Sequence, residues 1–122
     1  MTWYDIKLIT LQKMFSVHGG QIVRDDVTLP YLAAMPYVCN EGLTLLSAGE
    51  DKISPTTPDD YEFKLDSAGT ELLPLYMVSQ LYKDEDVGLA AIYRNEFEVG
   101  REHFLRSGKS DVGSAKVVRL NG

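Results

Sequence analysis

The chain has 122 residues, 44% of them hydrophobic and 25% charged, which is enough for one globular domain with its own core. Its net charge of −6 argues against a general nucleic-acid-binding surface, because phosphates would be repelled. The single cysteine, Cys39, excludes an intramolecular disulfide and a multi-cysteine metal site. Because it lies among apolar positions of a predicted helix, we expect a buried structural thiol rather than a nucleophile.

No apolar run approaches the roughly 18 residues that a membrane span requires. The first residues, Met1–Asp5, lack the basic segment and the apolar stretch of a signal peptide. We therefore expect a protein that is made and kept in a cytoplasm-like compartment and has no membrane partner.

The first predicted helix covers residues 2–15. Thr2 followed three residues later by Asp5 is typical of a capping box at a helix start. Two adjacent lines of aliphatic side chains give the helix a broad apolar face, which indicates contact with more than one neighbour. A glycine-containing turn, residues 16–20, should end it. We interpret His18 in this turn as a solvated loop histidine rather than as a ligand.

A second helix is predicted to begin near Pro30, since proline fits a first helical turn where its missing N–H is not needed. Thr28 or Asp26 can cap it, and Gly49 should stop it. Pro36 lies inside the apolar pattern, where it removes one backbone hydrogen bond and crowds the preceding turn. Because the apolar pattern continues beyond Pro36, we expect a kink there and not a break.

Residues 50–60 are rich in proline, threonine and aspartate, which predicts a loop. The next five, 61–65, alternate apolar and polar side chains, which predicts a short β strand. A single strand is not stable alone, so this one needs a partner in the same chain or in another subunit.

The stretch Thr70–Phe104 has the pattern of a helical hairpin. The acidic run Asp84–Asp86 suits a polar turn followed by a helix start, whose positive end favours carboxylates. We predict two antiparallel helices that face each other through aromatic and aliphatic side chains. In the second helix the residues at helical spacing on one apolar stripe are Leu89, Tyr93, Phe97, Gly100 and Phe104.

Beyond residue 106 the sequence is small, polar and glycine-rich, which is typical of a flexible linker. We divide the chain into a helical domain, residues 1–106, and a C-terminal docking tail, residues 107–122. Residues 115–120 are strand-like, so they could add a strand to a partner protein or pair with residues 61–65 of the same chain. The candidate partner-binding residues are Lys116, Val117, Val118, Arg119 and Leu120. The predicted fold class is mainly α: a bundle of about four helices with a short β strand or hairpin and an extended C-terminal tail.

The sequence carries no convincing motif for catalysis. The segment Ser107–Ser110 resembles the end of a phosphate loop, but His103 replaces the required upstream glycine and a helix precedes the segment. The acids near Gly88 lack the downstream glutamate of a calcium loop. No serine, cysteine or carboxylate has a spacing that ties it to His103, which instead suits the negative end of a helix. We predict no enzyme activity, no cofactor and no bound metal.

Several stretches resemble head–tail connector (adaptor) proteins of tailed bacteriophages that infect Gram-positive gut bacteria. The first two are similar to the start of those proteins and the last two to their C-terminal half. These stretches are WYDIKLITLQKMF (Trp3–Phe15), YLAAMPYVCNEGL (Tyr31–Leu43), ELLPLYMVSQLYKD (Glu71–Asp84) and YRNEFE (Tyr93–Glu98).

The resemblance covers residues 2–48 and 60–105. Many members of the family carry a longer insertion between the two halves, whereas here only Ser47–Asp59 connects them. Any function housed in that insertion therefore cannot be transferred to this chain.

The resemblance implies a homo-oligomeric, dodecameric ring that binds beneath the phage portal protein. Such a ring extends the DNA channel of the virion neck and gives the stopper or tail-completion protein a platform, after assembly in the host bacterial cytoplasm. A negative net charge suits a channel through which DNA passes without sequence-specific binding. In a closed ring each subunit also uses two different faces.

Two other classes of function stay open at the level of sequence. A small helical regulatory protein-binding module would act as a monomer or dimer and would not form rings. A helix-turn-helix nucleic-acid binder is disfavoured by the acidic balance and by the absence of a basic recognition helix.

Overall fold

A computed structural model describes residues 1–15 and 20–108. Within them the expected mainly α bundle of about four helices is confirmed. His18 and the candidate tail residues Lys116–Leu120 lie outside the described residues. The helices, in chain order, are α1 (Trp3–Met14), α2 (Leu29–Leu45), a four-residue helix α3 (Ser67–Thr70), α4 (Leu73–Leu81) and α5 (Val87–Arg106), with one 3-10 turn at Gly49–Asp51.

Helix α4 lies at the centre of the bundle because nearly all of its side chains are apolar. Leu73, Met77 and Val78 are fully buried. Helices α1, α2 and α5 all pack against α4, while Pro74 lies in its first turn, where a missing N–H costs little. The core of the protein is therefore built around one short apolar helix.

The predicted helical hairpin is confirmed as α4 and α5. Phe97 and Phe104 of the predicted stripe are buried, and the Phe97 ring centroid lies 5.0 Å from that of Tyr76 on α4. The acidic run also plays its predicted part, since the Asp86 carboxylate accepts a hydrogen bond from the N–H of Leu89 at 3.0 Å.

Helix α1 begins with the predicted capping box. The Thr2 hydroxyl accepts from the Asp5 N–H, and the Asp5 carboxylate accepts from the Thr2 N–H, both at 3.1 Å. Two of the exposed N–H groups at the helix start are thereby satisfied by side chains only three residues apart.

Helix α2 is continuous across Pro36 and carries Pro30 in its first turn, as predicted. The capping differs from both predicted candidates. Thr28 occupies the position before the helix, but its hydroxyl donates to the Val23 carbonyl at 2.7 Å. Asp25 instead accepts the N–H groups of Val27 and Thr28, both at 2.9 Å. Its carboxylate thus bonds to the backbone two and three residues further along the chain, as aspartate commonly does in turns.

The prediction that Gly49 stops α2 was wrong, because the helix ends at Leu45. Ser47 takes the left-handed conformation with φ 59°. The N–H of Ala48 then bonds to the Leu43 carbonyl at 2.8 Å and that of Ser47 to the Thr44 carbonyl at 3.1 Å. This is the Schellman motif, in which the N–H groups after the helix end bond to its last carbonyls. The left-handed position of the motif is usually glycine, and here it is Ser47.

The predicted strand at 61–65 was also wrong: within the described residues it is reduced to one isolated antiparallel bridge, between Thr2 and Glu62. Trp3 donates to the Tyr61 carbonyl at 2.9 Å and Phe63 to the Met1 carbonyl at 3.2 Å. Because α1 begins at Trp3, the N-terminal partner is too short for a ladder. The alternation itself is present, since Phe63 is buried while Glu62 and its neighbour Lys64 are exposed.

None of the helices in the described part of the chain combines the length and the apolar character that a membrane span requires.

Replacing Ser47 by glycine should raise the free energy of unfolding by about 1 kcal/mol, because glycine has no Cβ to strain in the left-handed region. Urea denaturation measures the change. The matched control is Ser47→Ala, which keeps the Cβ and should leave stability within about 0.5 kcal/mol of the wild-type value. Equal stability of the glycine and alanine variants would contradict the assignment of this cap.

Candidate functional site

The residues singled out in the sequence for chemistry lie apart from one another. Cys39 is fully buried, as predicted for a structural thiol, and burial, with a smaller contribution from Asp51, raises its pKa to about 12. His103 is exposed in the last turn of α5. Across residues 1–15 and 20–108, no three His, Cys, Asp or Glu side chains are placed to hold a metal ion. The features that remain for function are therefore surfaces.

One such surface is the outer side of α5, which we call the α5 face: Ile92 and Val99. These side chains are 58% and 62% exposed. Ile92 and Val99 are seven residues apart, so they share one side of the helix, turned away from the buried Phe97. Beside them an ion pair joins Arg106 to Glu102 at 2.6 Å. Exposed aliphatic side chains with polar and charged residues around them are compatible with a protein-binding surface.

A second surface, which we call the α2 face, lies on α2 and the segment before it: Val23, Val27, Leu29 and Tyr37. Their side chains are 47–62% exposed. The segment is ordered by the bonds of Thr28 and Asp25 described above. These bonds hold Val23 and Val27 in solvent-exposed positions, where they do not contribute to the described core.

A groove of about 340 Å³ adjoins the α2 face. In it Lys7, whose side chain is almost buried, pairs with Asp59 at 2.6 Å and lies 5.2 Å from the centre of the Trp3 ring. The pair joins α1 to the loop that precedes the bridge, so its first effect is structural. Other residues that line the groove are Arg24, Leu29, Leu32, Ala33, Pro36 and Pro55.

Asp51 organises the segment that carries the bridge. It is 1% exposed, and its carboxylate accepts from the Tyr61 hydroxyl at 2.8 Å and from the N–H groups of Lys64 and Leu65 at 3.0 and 2.7 Å. Burying a carboxyl group is tolerable when several donors surround it. Asp51 and the bridge to the N-terminus together hold residues 61–65 against the bundle.

Asn40 fixes the other end of this connection. Its side-chain amide donates to the Ile53 carbonyl and accepts from the Ile53 N–H, both at 2.8 Å. Sequence reasoning missed both Asn40 and Asp51. No spacing or motif marks a loop aspartate as buried, because its donors come from residues 10 to 14 positions away.

The bridge leaves one backbone edge open. Thr2 and Glu62 are a non-hydrogen-bonded pair, because the bonds run between the residues that flank them. In such a pair the N–H and C=O of each residue point away from the partner segment. Within residues 1–15 and 20–108, no hydrogen bond engages these two groups of Glu62. We call them, with the exposed side chains of Asp60 and Glu62, the Glu62 edge.

Comparisons of the chain with protein-family models, with curated proteins and with solved structures gave no match.

Replacing Asp51 by alanine should lower the free energy of unfolding by about 3 kcal/mol, because two backbone N–H groups and one hydroxyl lose their buried acceptor. Asp51→Asn should cost less, since one acceptor oxygen stays. Urea denaturation measures both variants, with Asp60→Ala, an exposed aspartate nine residues further along the chain, as the control without effect. A loss below 1 kcal/mol for the alanine variant would show that Asp51 does not organise this segment.

Alkaline pH should weaken the fold through Tyr61. Burial, and then its hydrogen bond to Asp51, raises the pKa of Tyr61 from 10.0 to about 12. The neutral phenol is favoured in the folded protein, so this contribution is complete below pH 10 and is lost as the pH rises towards 12. Tyr61→Phe should make the decline of unfolding free energy between pH 10 and 12 shallower. Identical slopes for the variant and the wild type would contradict this assignment.

Proposed function

We propose that this chain is a structural virion protein, a head–tail connector of a tailed bacteriophage. It forms a ring between the portal and the stopper or tail-completion protein and extends the DNA channel of the virion neck. The protein is then located in the neck of the virion, and its partners are further copies of itself and the portal protein.

The observation that carries the proposal is the presence of two separate apolar surfaces. A closed ring joins one face of each subunit to a different face of the next. The α2 face and the α5 face belong to helices that both pack on α4, so each helix turns its exposed side chains away from the common core. On α5, Ile92 and Val99 face solvent on one side of the helix, and a subunit contact there would remove their apolar surface from water.

The positions that resemble the connector family support the proposal in a second way. The four resembling stretches overlap α1, α2, α4 and α5. They supply fully buried side chains such as Ile6, Met35, Met77 and Phe97. The resemblance therefore concerns the residues that build the bundle, which is the part a ring subunit has to keep.

The net charge of the chain is compatible with DNA that moves through the ring without binding to it. A net charge of −6 suits a channel wall that repels phosphates. DNA can then move through the channel without sequence-specific contacts.

The test is co-sedimentation with the portal ring of the same phage. The wild-type chain should bind, and negative-stain microscopy should show one added ring. Ile92→Glu with Val99→Glu should abolish ring formation by placing charges in a subunit contact while leaving the fold intact, because both side chains are exposed. Lys52→Glu is the matched control, because this exposed residue at the end of the 3-10 turn lies outside both faces and its replacement lowers the net charge by the same two units; it should still form rings.

A chain ending at Arg106 separates the bundle from the tail. Binding by both lengths would assign portal docking to the bundle, and binding by the full chain alone would assign it to the tail. Binding by neither, with a monomer or dimer in solution, would overturn the connector proposal in favour of a regulatory protein-binding module.

A further inference from the structure

We propose that the Glu62 edge is the surface on which the tail of a neighbouring copy docks, with residues 115–120 adding one strand beside residues 60–62. This inference rests on the proposed ring and names the contact that the tail makes within it.

The backbone provides the first reason. One side of residues 61–63 is already bonded to the N-terminus, so only the Glu62 side can accept another extended segment. Asp51 holds the neighbouring residues in place, so the edge is fixed before a partner arrives. The N–H and C=O of Glu62 offer one donor and one acceptor that face outward.

Charge provides the second reason. Residues 107–122 contain three basic side chains and one acidic one, a net charge of +2 in a chain whose total is −6, which leaves −8 on residues 1–106. At the edge, Asp60 and Glu62 are exposed, and no ion pair engages either of them within the described residues. In the tail, Lys116 and Arg119 are three residues apart, so each face of a strand carries one cation and one valine, and either register places a cation opposite an acid.

The choice of the neighbouring copy, rather than the same chain, rests on what a ring requires. Identical bundles of charge −8 repel one another when they stand side by side in a ring. Both arrangements leave the same net charge on each bundle, but a basic tail that crosses to the next bundle adds an attractive contact between two copies, whereas a tail folded back on its own bundle adds none. Residues 109–114 can span about 20 Å when extended.

The Glu62 edge is short, so the binding of the tail to it is expected to be weak. Two backbone hydrogen bonds and one or two exposed ion pairs give weak binding on their own. They become effective only when the α2 and α5 faces already hold the two copies together and raise the local concentration of the tail. The tail is therefore expected to reinforce a ring and not to nucleate it.

Disulfide cross-linking between two distinguishable copies tests the inference. One copy carries Glu62→Cys, and a second, mass-tagged copy carries cysteine at position 116, 117, 118 or 119. The natural Cys39 is fully buried and does not compete. In portal-bound rings, cross-links between the copies should form at alternate tail positions, about fivefold more than at the positions between them, because side chains alternate along a strand. Asp84→Cys, in the exposed α4–α5 turn, replaces Glu62→Cys as the control and should give no alternation.

A proline variant tests the backbone contact separately. Glu62→Pro removes the N–H that faces outward, while the inner bonds use the Tyr61 carbonyl and the Phe63 N–H and are retained. Hydrogen exchange of the tail amides in assembled rings should become about fivefold faster than in Glu62→Ala, which loses only the charge. Circular dichroism of both variants checks that the fold is intact.

The outcomes separate this inference from the proposed function. Rings on the portal without alternating cross-links would overturn the docking site and leave the connector proposal standing. Cross-links inside single chains carrying both cysteines, but not between copies, would assign the edge to the chain's own tail and overturn the inference. Alternating cross-links between copies that never join a portal ring would support the docking site and count against the connector role.

Discussion

The carboxylate of Asp51 is the constraint on which the non-helical part of this protein depends. One buried side chain continues the support that the N-terminus gives to residues 61–63, by accepting the N–H groups of Lys64 and Leu65 and the hydroxyl of Tyr61. The bundle can therefore carry an extended segment on its surface without building a sheet. Together with the bridge to Thr2, this arrangement fixes Glu62 with its backbone groups outward, so structural contacts determine where the proposed docking edge lies.

The helical part depends on a different device, the burial of α4 on all sides. Because α1, α2 and α5 each pack on this helix, each has a side that the core does not use. On α2 and α5 those sides carry exposed aliphatic and aromatic residues. Packing three helices around one central helix thus gives a small chain separate outward-facing surfaces. The proposed ring requires such surfaces.

The sequence was a good guide wherever structure follows from local periodicity. The capping box of α1, the buried stripe through Phe97 and Phe104, and the role of Asp86 at the start of α5 all involve residues within a few turns of one another. It failed at the end of α2, since Ser47 takes a conformation that favours glycine. It also failed at residues 61–65, where the pattern of a strand was right for burial but the partner was too short.

The sequence by itself determined the helices and the residues they bury, because periodicity is a local property of the chain. Only the tertiary structure decided which loop acid is buried, which side of residues 60–62 is open and which apolar side chains stay in solvent. Those outcomes depend on donors and packing partners far away in the chain. Asp51 and Asp60 look alike in the sequence, yet one is held by three hydrogen bonds and the other faces solvent.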